Sequence, residues 1–166
     1  MRYGQGDYVY ELDATWGQLP AGWEYGDAVG VRVDSQDRVY VFNRGAHPIV
    51  VFDRDGTLVG GWGEGVFTTP HGLEIVDDVV YCVDAGDHTV RLFSLDGRLR
   101  RTIGTPGVPA ATGWAGTYDD LPGGPPFCRP TNLAIGPGGD IYVSDGYANC
   151  KVHRFSADGV HLGSWG

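Results

Sequence analysis

Cysteine, positive charge and long apolar runs are all scarce in this chain. Its three cysteines in 166 residues, Cys82, Cys128 and Cys150, are too few and too scattered for a disulfide scaffold. None forms a CxxC pair of the kind that holds a metal. Lysine and arginine number 12 against 21 acidic residues, a net charge of −9. That balance argues against nucleic acid or an anionic membrane as partner, and suits a surface that attracts cations. No apolar run approaches the ~20 residues of a membrane-spanning helix. Met1-Arg2-Tyr3-Gly4 does not open a signal peptide. The expectation is a soluble chain, cytoplasmic by default, with its compartment otherwise open. Long helix-forming stretches are missing too, and 28 glycines and 10 prolines point to an all-β protein.

What the chain does have is a repeat. Residues 70–104 read as four short β-rich runs: Leu73-Glu74-Ile75, Val79 to Asp84, Val90 to Phe93, and Leu99 to Ile103 after the turn Asp96-Gly97. The same phrase precedes it over residues 28–63, ending Asp55-Gly56…Trp62-Gly63. It follows again over 130–166, ending Asp158-Gly159…Trp165-Gly166. Phe52 and Phe93 lie 41 residues apart, Phe93 and Phe155 62, because a loop at 105–129 intervenes. A period near forty with four strands per period predicts β-propeller blades. Three blades are too few to close a ring, which usually takes about four to eight. Residues 8–17, with Tyr8 to Leu12 and then Trp16-Gly17, resemble the last strand of a blade and are expected as an edge or added outer strand. The loop 105–129, carrying Trp114, Tyr118 and Asp119-Asp120, is long enough to be functional, and its aromatics suggest a lid or pocket wall.

Ligand sites in propellers gather at one channel mouth, fed by the entries to the inner strands and the loops between second and third strands. Three residues stand out there. His71 lies at an inner-strand entry where the other blades have Val29 and Thr131; it reads either as a packed imidazole or as one metal ligand of a set. Arg44 stands where the other blades have Ala85 and Gly146; it is either a surface arginine or a fixed cation that holds a carboxylate or oxyanion. Tyr147 is either a half-buried aromatic or a general base or acid, a role that calls for a metal or arginine beside it. His47, His88, His153 and His161 show no ligand spacing, and His153 is expected to face solvent. The pairs Asp77-Asp78 and Asp119-Asp120 read as turn residues, with no calcium-loop pattern.

The phrases Phe42-Asn43-Arg44-Gly45, Pro70-His71-Gly72-Leu73, Phe127-Cys128-Arg129-Pro130-Thr131 and Tyr142-Val143-Ser144-Asp145-Gly146-Tyr147 resemble the peptidyl-α-hydroxyglycine α-amidating lyases, and the blades resemble NHL repeats. The resemblance, to the bacterial type, implies a six-bladed propeller of which this chain covers about the first half. It implies cleavage of a peptidyl-α-hydroxyglycine to a peptide amide and glyoxylate. By position, His71 matches a zinc ligand, Arg44 the active-site arginine and Tyr147 the proposed base. Main-chain oxygens of Val31 and Leu73 match contacts to a structural calcium. The family's other two zinc histidines, its second arginine and its calcium-binding aspartate would fall after Gly166. Its cysteine after the tyrosine is Ala148 here, so a Cys128–Cys150 bridge stays open. The expected partner is a small-molecule or peptide substrate, with self-pairing of two chains as one way to complete a ring. The alternative is a non-catalytic NHL propeller that serves as a protein- or ligand-binding scaffold. A six-bladed hydrolase of the lactonase kind ranks last, because Val29, His71 and Thr131 put no carboxylate at the inner-strand entries.

Overall fold

The computed structural model describes residues 2–118 and 121–166. Asp119 and Asp120 lie outside the described residues. Twelve of the fourteen strands form three antiparallel four-stranded sheets, each in simple up-and-down order. Blade 1 holds β3 (Ala28–Val33), β4 (Val39–Asn43), β5 (Ile49–Phe52) and β6 (Leu58–Trp62). Blade 2 holds β7 (Pro70–Val76), β8 (Val79–Asp84), β9 (Thr89–Ser94) and β10 (Leu99–Ile103). Blade 3 holds β11 (Asn132–Ile135), β12 (Ile141–Asp145), β13 (Lys151–Phe155) and β14 (His161–Trp165). The first strands lie side by side, with β7 between β3 and β11. The sheets are therefore neighbouring blades of a propeller, arranged as an arc rather than a closed ring. No helix long and apolar enough to cross a membrane is found among the described residues.

Blades stack because their strands carry apolar residues on both faces. Tyr40, Phe42 and Ile49 of blade 1 pack against Leu73, Val80 and Phe93 of blade 2. Val83 and Val90 on the other side of blade 2 meet Phe127, Ile141, Val143 and Phe155. Each fully buried Phe or Leu contributes roughly 1.5–3 kcal/mol. The inner strands come close enough to need glycine. A Cβ at Gly30 would stand 2.6 Å from Leu73 Cβ, and one at Gly72 would stand 2.7 Å from the Thr131 carbonyl.

The hairpin between third and fourth strands is built the same way three times. Asp55-Gly56, Asp96-Gly97 and Asp158-Gly159 each place only the glycine at positive φ (85°, 82° and 76°). Each is accompanied by a slip in strand register. This is a type I turn closed by a glycine bulge, one of the standard ways to join antiparallel strands. The tryptophan of one blade covers the turn of the next. Trp62 packs on Phe93 at 4.9 Å and 45°, and a Cβ at Gly97 would lie 2.7 Å from its ring.

Trp16 does the same for blade 1. Its ring is 5.4 Å from Phe52 at 47°, and a Cβ at Gly56 would lie 2.8 Å from it. Trp16-Gly17 thus takes the place of a preceding blade's Trp-Gly. The strand expected just before it behaves differently: β2 (Tyr8–Glu11) pairs with β1 (Arg2–Gln5) in an exposed two-stranded hairpin and adds to no blade. Arg2 to Gln5 supplies the nearer partner, and Gly4 and Gly6 at positive φ let the chain turn back at once. The connector between Trp16 and β3 covers the outer face of blade 1, where Leu19 and Trp23 pack on Val41, Val50 and Phe52.

Candidate functional site

One polar residue at the end of each second strand organises the loop that follows. Asn43, Asp84 and Asp145 are all fully buried. The Asn43 amide donates to the carbonyls of His47 and Pro48, while its oxygen accepts the Gly45 N–H at 2.7 Å. The Asp84 carboxylate accepts the N–H groups of Thr68, Thr69, Gly86 and Asp87 at 2.7–3.0 Å. It therefore ties the loop after β8 to the segment that leads into His71. Asp145 accepts the Cys128 N–H at 2.7 Å and is met by the Asn149 amide. It thereby holds the Tyr147 loop against the segment that carries Arg129. Buried carboxylates need such partners, because unpaired they would carry a large desolvation cost.

These loops converge on one pocket of roughly 280 Å³ lined by Arg44, Thr69, His71, Gly86, Arg129 and Tyr147, with Ala85. All three residues singled out for chemistry meet there. His71 Nε2 is 3.2 Å from the Tyr147 hydroxyl, with the rings edge to face at 5.6 Å. Arg44 is pinned: Nε donates to the Pro70 carbonyl at 3.0 Å, and Nη1 pairs with Asp27 at 3.1 Å. The long loop supports the site from outside, since the Tyr118 hydroxyl donates to the Tyr147 carbonyl at 3.1 Å. Asn149 exchanges hydrogen bonds with both backbone groups of Gly124. The loop thus buttresses Tyr147 from behind and reaches the pocket wall at its last residue, Arg129, while Trp114 and Tyr118 do not line it. Arg129 is the lining residue that sequence reasoning passed over. Its only signal was its place within Phe127-Cys128-Arg129-Pro130-Thr131, directly ahead of an inner strand.

Among the described residues no group of three or more His, Cys, Asp or Glu side chains converges as a metal cage. His71 offers one imidazole where a catalytic zinc takes three protein ligands, so these residues alone do not make a zinc site. The Val31 carbonyl accepts from Arg32 Nη1 at 2.8 Å, and Arg32 Nε pairs with Glu74 on the next inner strand at 2.8 Å. A calcium at the oxygens of Val31 and Leu73 would have to share the Val31 carbonyl with that guanidinium.

One expectation needs correction, that for His153, and one open pairing is absent. Cys128 and Cys150 are free thiols in the structure, as is Cys82. Burial, and then the Asp145 charge, push the Cys128 thiol above its ordinary value, while Cys150 Sγ turns to the Gly146 carbonyl at 3.8 Å. His153, expected to face solvent, is wholly buried. Only one face of β13 is covered: Arg154 beside it is exposed, while His153 turns to the face that Phe127 and the Asn149 loop close over. His153 therefore points toward Phe127, beside Asp145 at 3.4 Å and hydrogen-bonded to Ser164 at 2.7 Å.

The NHL repeat profile matches residues 127–155. The matched segment contains β11, β12 and β13 together with Arg129 and Tyr147, so part of the pocket sits on it. A probable peptidyl-alpha-hydroxyglycine alpha-amidating lyase of Caenorhabditis elegans is 30% identical over 112 residues, which cover 67% of this chain and 29% of the nematode protein. NHL repeat-containing protein 3 of Homo sapiens is 32% identical over 165 residues, 90% of this chain and 44% of the human one. The chain therefore spans less than half the length of either relative. Virginiamycin B lyase from Staphylococcus aureus superposes with a TM-score of 0.55 over 85% of this chain and 40% of that one, at 17% identity. That likeness supports the propeller fold and nothing finer.

Proposed function

We propose that the Arg44–His71–Tyr147 pocket is the site, or the part of the site carried by this chain, of a lyase that cleaves peptidyl-α-hydroxyglycine to a peptide amide and glyoxylate. The observation that carries this reading is the meeting of Tyr147, His71 and Arg44 in one pocket, in a chain about 30% identical to proteins named as such lyases. Tyr147, acting as its phenolate, takes the proton of the substrate hydroxyl and passes it to the departing nitrogen. The hydroxyl carbon becomes the aldehyde carbon of glyoxylate as its bond to the amide nitrogen breaks, and that nitrogen gains a proton to leave as the peptide amide. Arg44, fixed by Pro70 and Asp27, counters the negative charge that develops on oxygen. His71 Nε2 holds the Tyr147 oxygen in place across 3.2 Å. Zinc is the proposed cofactor, with His71 as one ligand and further ligands required beyond the described residues. Bound, it would supply Lewis acidity at the substrate oxygen.

The test is zinc content, native mass and glyoxylate formation on the purified chain, repeated for His71→Ala. Zinc retained by the wild type and lost in the variant, together with glyoxylate, supports the lyase; native mass reads whether two chains pair to bind it. A folded protein without zinc or glyoxylate leaves the second reading, a binding scaffold.

A further inference from the structure

The pocket is cationic in a chain whose net charge is −9. Two of its lining residues are arginines and none is acidic. The two arginines are not equivalent. Arg44 already spends its Nε on a carbonyl and its Nη1 on Asp27. Arg129 forms no ion pair with any described acidic side chain. Its main chain, in contrast, is held firmly. Arg129 adopts a left-handed conformation (φ 68°), and its N–H donates to His88 Nδ1 at 3.1 Å. His88 is itself left-handed (φ 58°). The preceding N–H, of Cys128, is fixed on buried Asp145.

Left-handed backbone costs a non-glycine residue roughly 1–2 kcal/mol, and glycine or asparagine would adopt it more readily. An arginine kept there, between two fixed points and facing a pocket, points to its side chain as the feature gained. A guanidinium with free donors is a planar fork suited to a carboxylate. We propose that Arg129 is the specificity-determining residue of this pocket, binding the carboxylate of a small 2-oxo or 2-hydroxy acid group, and that His88 is the positioning residue that aims it. The class of acid rests on the lyase reading; the anion site does not. At roughly 280 Å³ the pocket suits a ligand of this size.

The experiment titrates the full chain with glyoxylate, with acetate, and with acetamide as the neutral shape control, and follows binding by calorimetry or amide shifts. The wild type binds both carboxylates in a saturable way, and acetamide fails to compete. Arg129→Gln weakens glyoxylate at least tenfold, and Arg129→Lys, which keeps the charge but loses the fork, falls between. His88→Ala weakens it several-fold, whereas His88→Asn, which keeps an acceptor and tolerates positive φ, restores it. An unchanged melting temperature in Arg129→Gln separates this loss from unfolding. Equal binding by wild type and Arg129→Gln, or equal competition by acetamide, overturns the proposal. If glyoxylate binds through Arg129 but no peptidyl-α-hydroxyglycine is cleaved, the anion site stands and the lyase reading falls. If cleavage occurs and Arg129→Gln leaves KM unchanged, the reverse holds.

Discussion

The hydroxyl of Tyr147 lies 3.2 Å from His71 Nε2, although the two residues are 76 positions apart in the chain. Neither could hold this place by local structure. His71 sits in a register slip of the inner strand, between Pro70 and Gly72, and Tyr147 sits in an exposed loop of the next blade. Two buried carboxylates connect them to the fold: Asp84 beneath the His71 entry and Asp145 beneath the Tyr147 loop.

Removing the second of these supports should therefore damage stability and site together. Asp145→Ala leaves the Cys128 N–H without its acceptor and takes one acceptor from the Asn149 amide. Stranding a buried donor in this way costs on the order of 1–3 kcal/mol. Chemical denaturation should show a loss of that size, and glyoxylate binding should fall even under conditions where the variant is folded.

The contact between tryptophan and turn makes a paired prediction. Gly97→Ala places a Cβ 2.7 Å from the Trp62 ring at φ 82°, so strain and overpacking together cost about 2–5 kcal/mol. Gly138→Ala has open space and no positive φ, and should stay within about 1 kcal/mol of wild type. Urea melts of the two variants check both values.

Tyr40 predicts how the fold responds to alkali. Burial pushes its phenol from 10.0 up to about 12. A raised value means that the unfolded chain gives up this proton first. The stabilising effect of keeping Tyr40 neutral is complete below pH 10 and is lost as pH rises toward about 12. Stability should fall across that window, and Tyr40→Phe should flatten the fall. Denaturant melts at pH 9, 10.5 and 12 would show it.

The blades were legible because their signals are local and repeated. Apolar pairs at β spacing and an Asp-Gly turn recur three times, and each turn formed where the sequence put it. Arg44, His71 and Tyr147 stood out because they break the repeat at matching places, and they share one pocket. What stayed hidden depends on contacts across blades. Nothing local in Val152-His153 tells that Phe127 and the loop carrying Asn149 cover the histidine. Tyr8 to Leu12 looked like a blade strand because hairpin and blade strands carry the same residues; only the nearby Arg2 to Gln5 decided its partner. Asn43, Asp84 and Asp145 recur at the end of the second strand, yet their role as loop centres appears only once the main-chain N–H groups around them are seen.

The most direct test of the central claim is glyoxylate release from a peptidyl-α-hydroxyglycine by wild type and Tyr147→Phe, at equal zinc and matched folding. Proton transfer by a positioned side chain contributes about 10²–10⁴-fold. The account predicts zinc-supported release by the wild type and a loss of that size in the variant. Release undiminished in Tyr147→Phe, or no release by a zinc-loaded wild type, would contradict it.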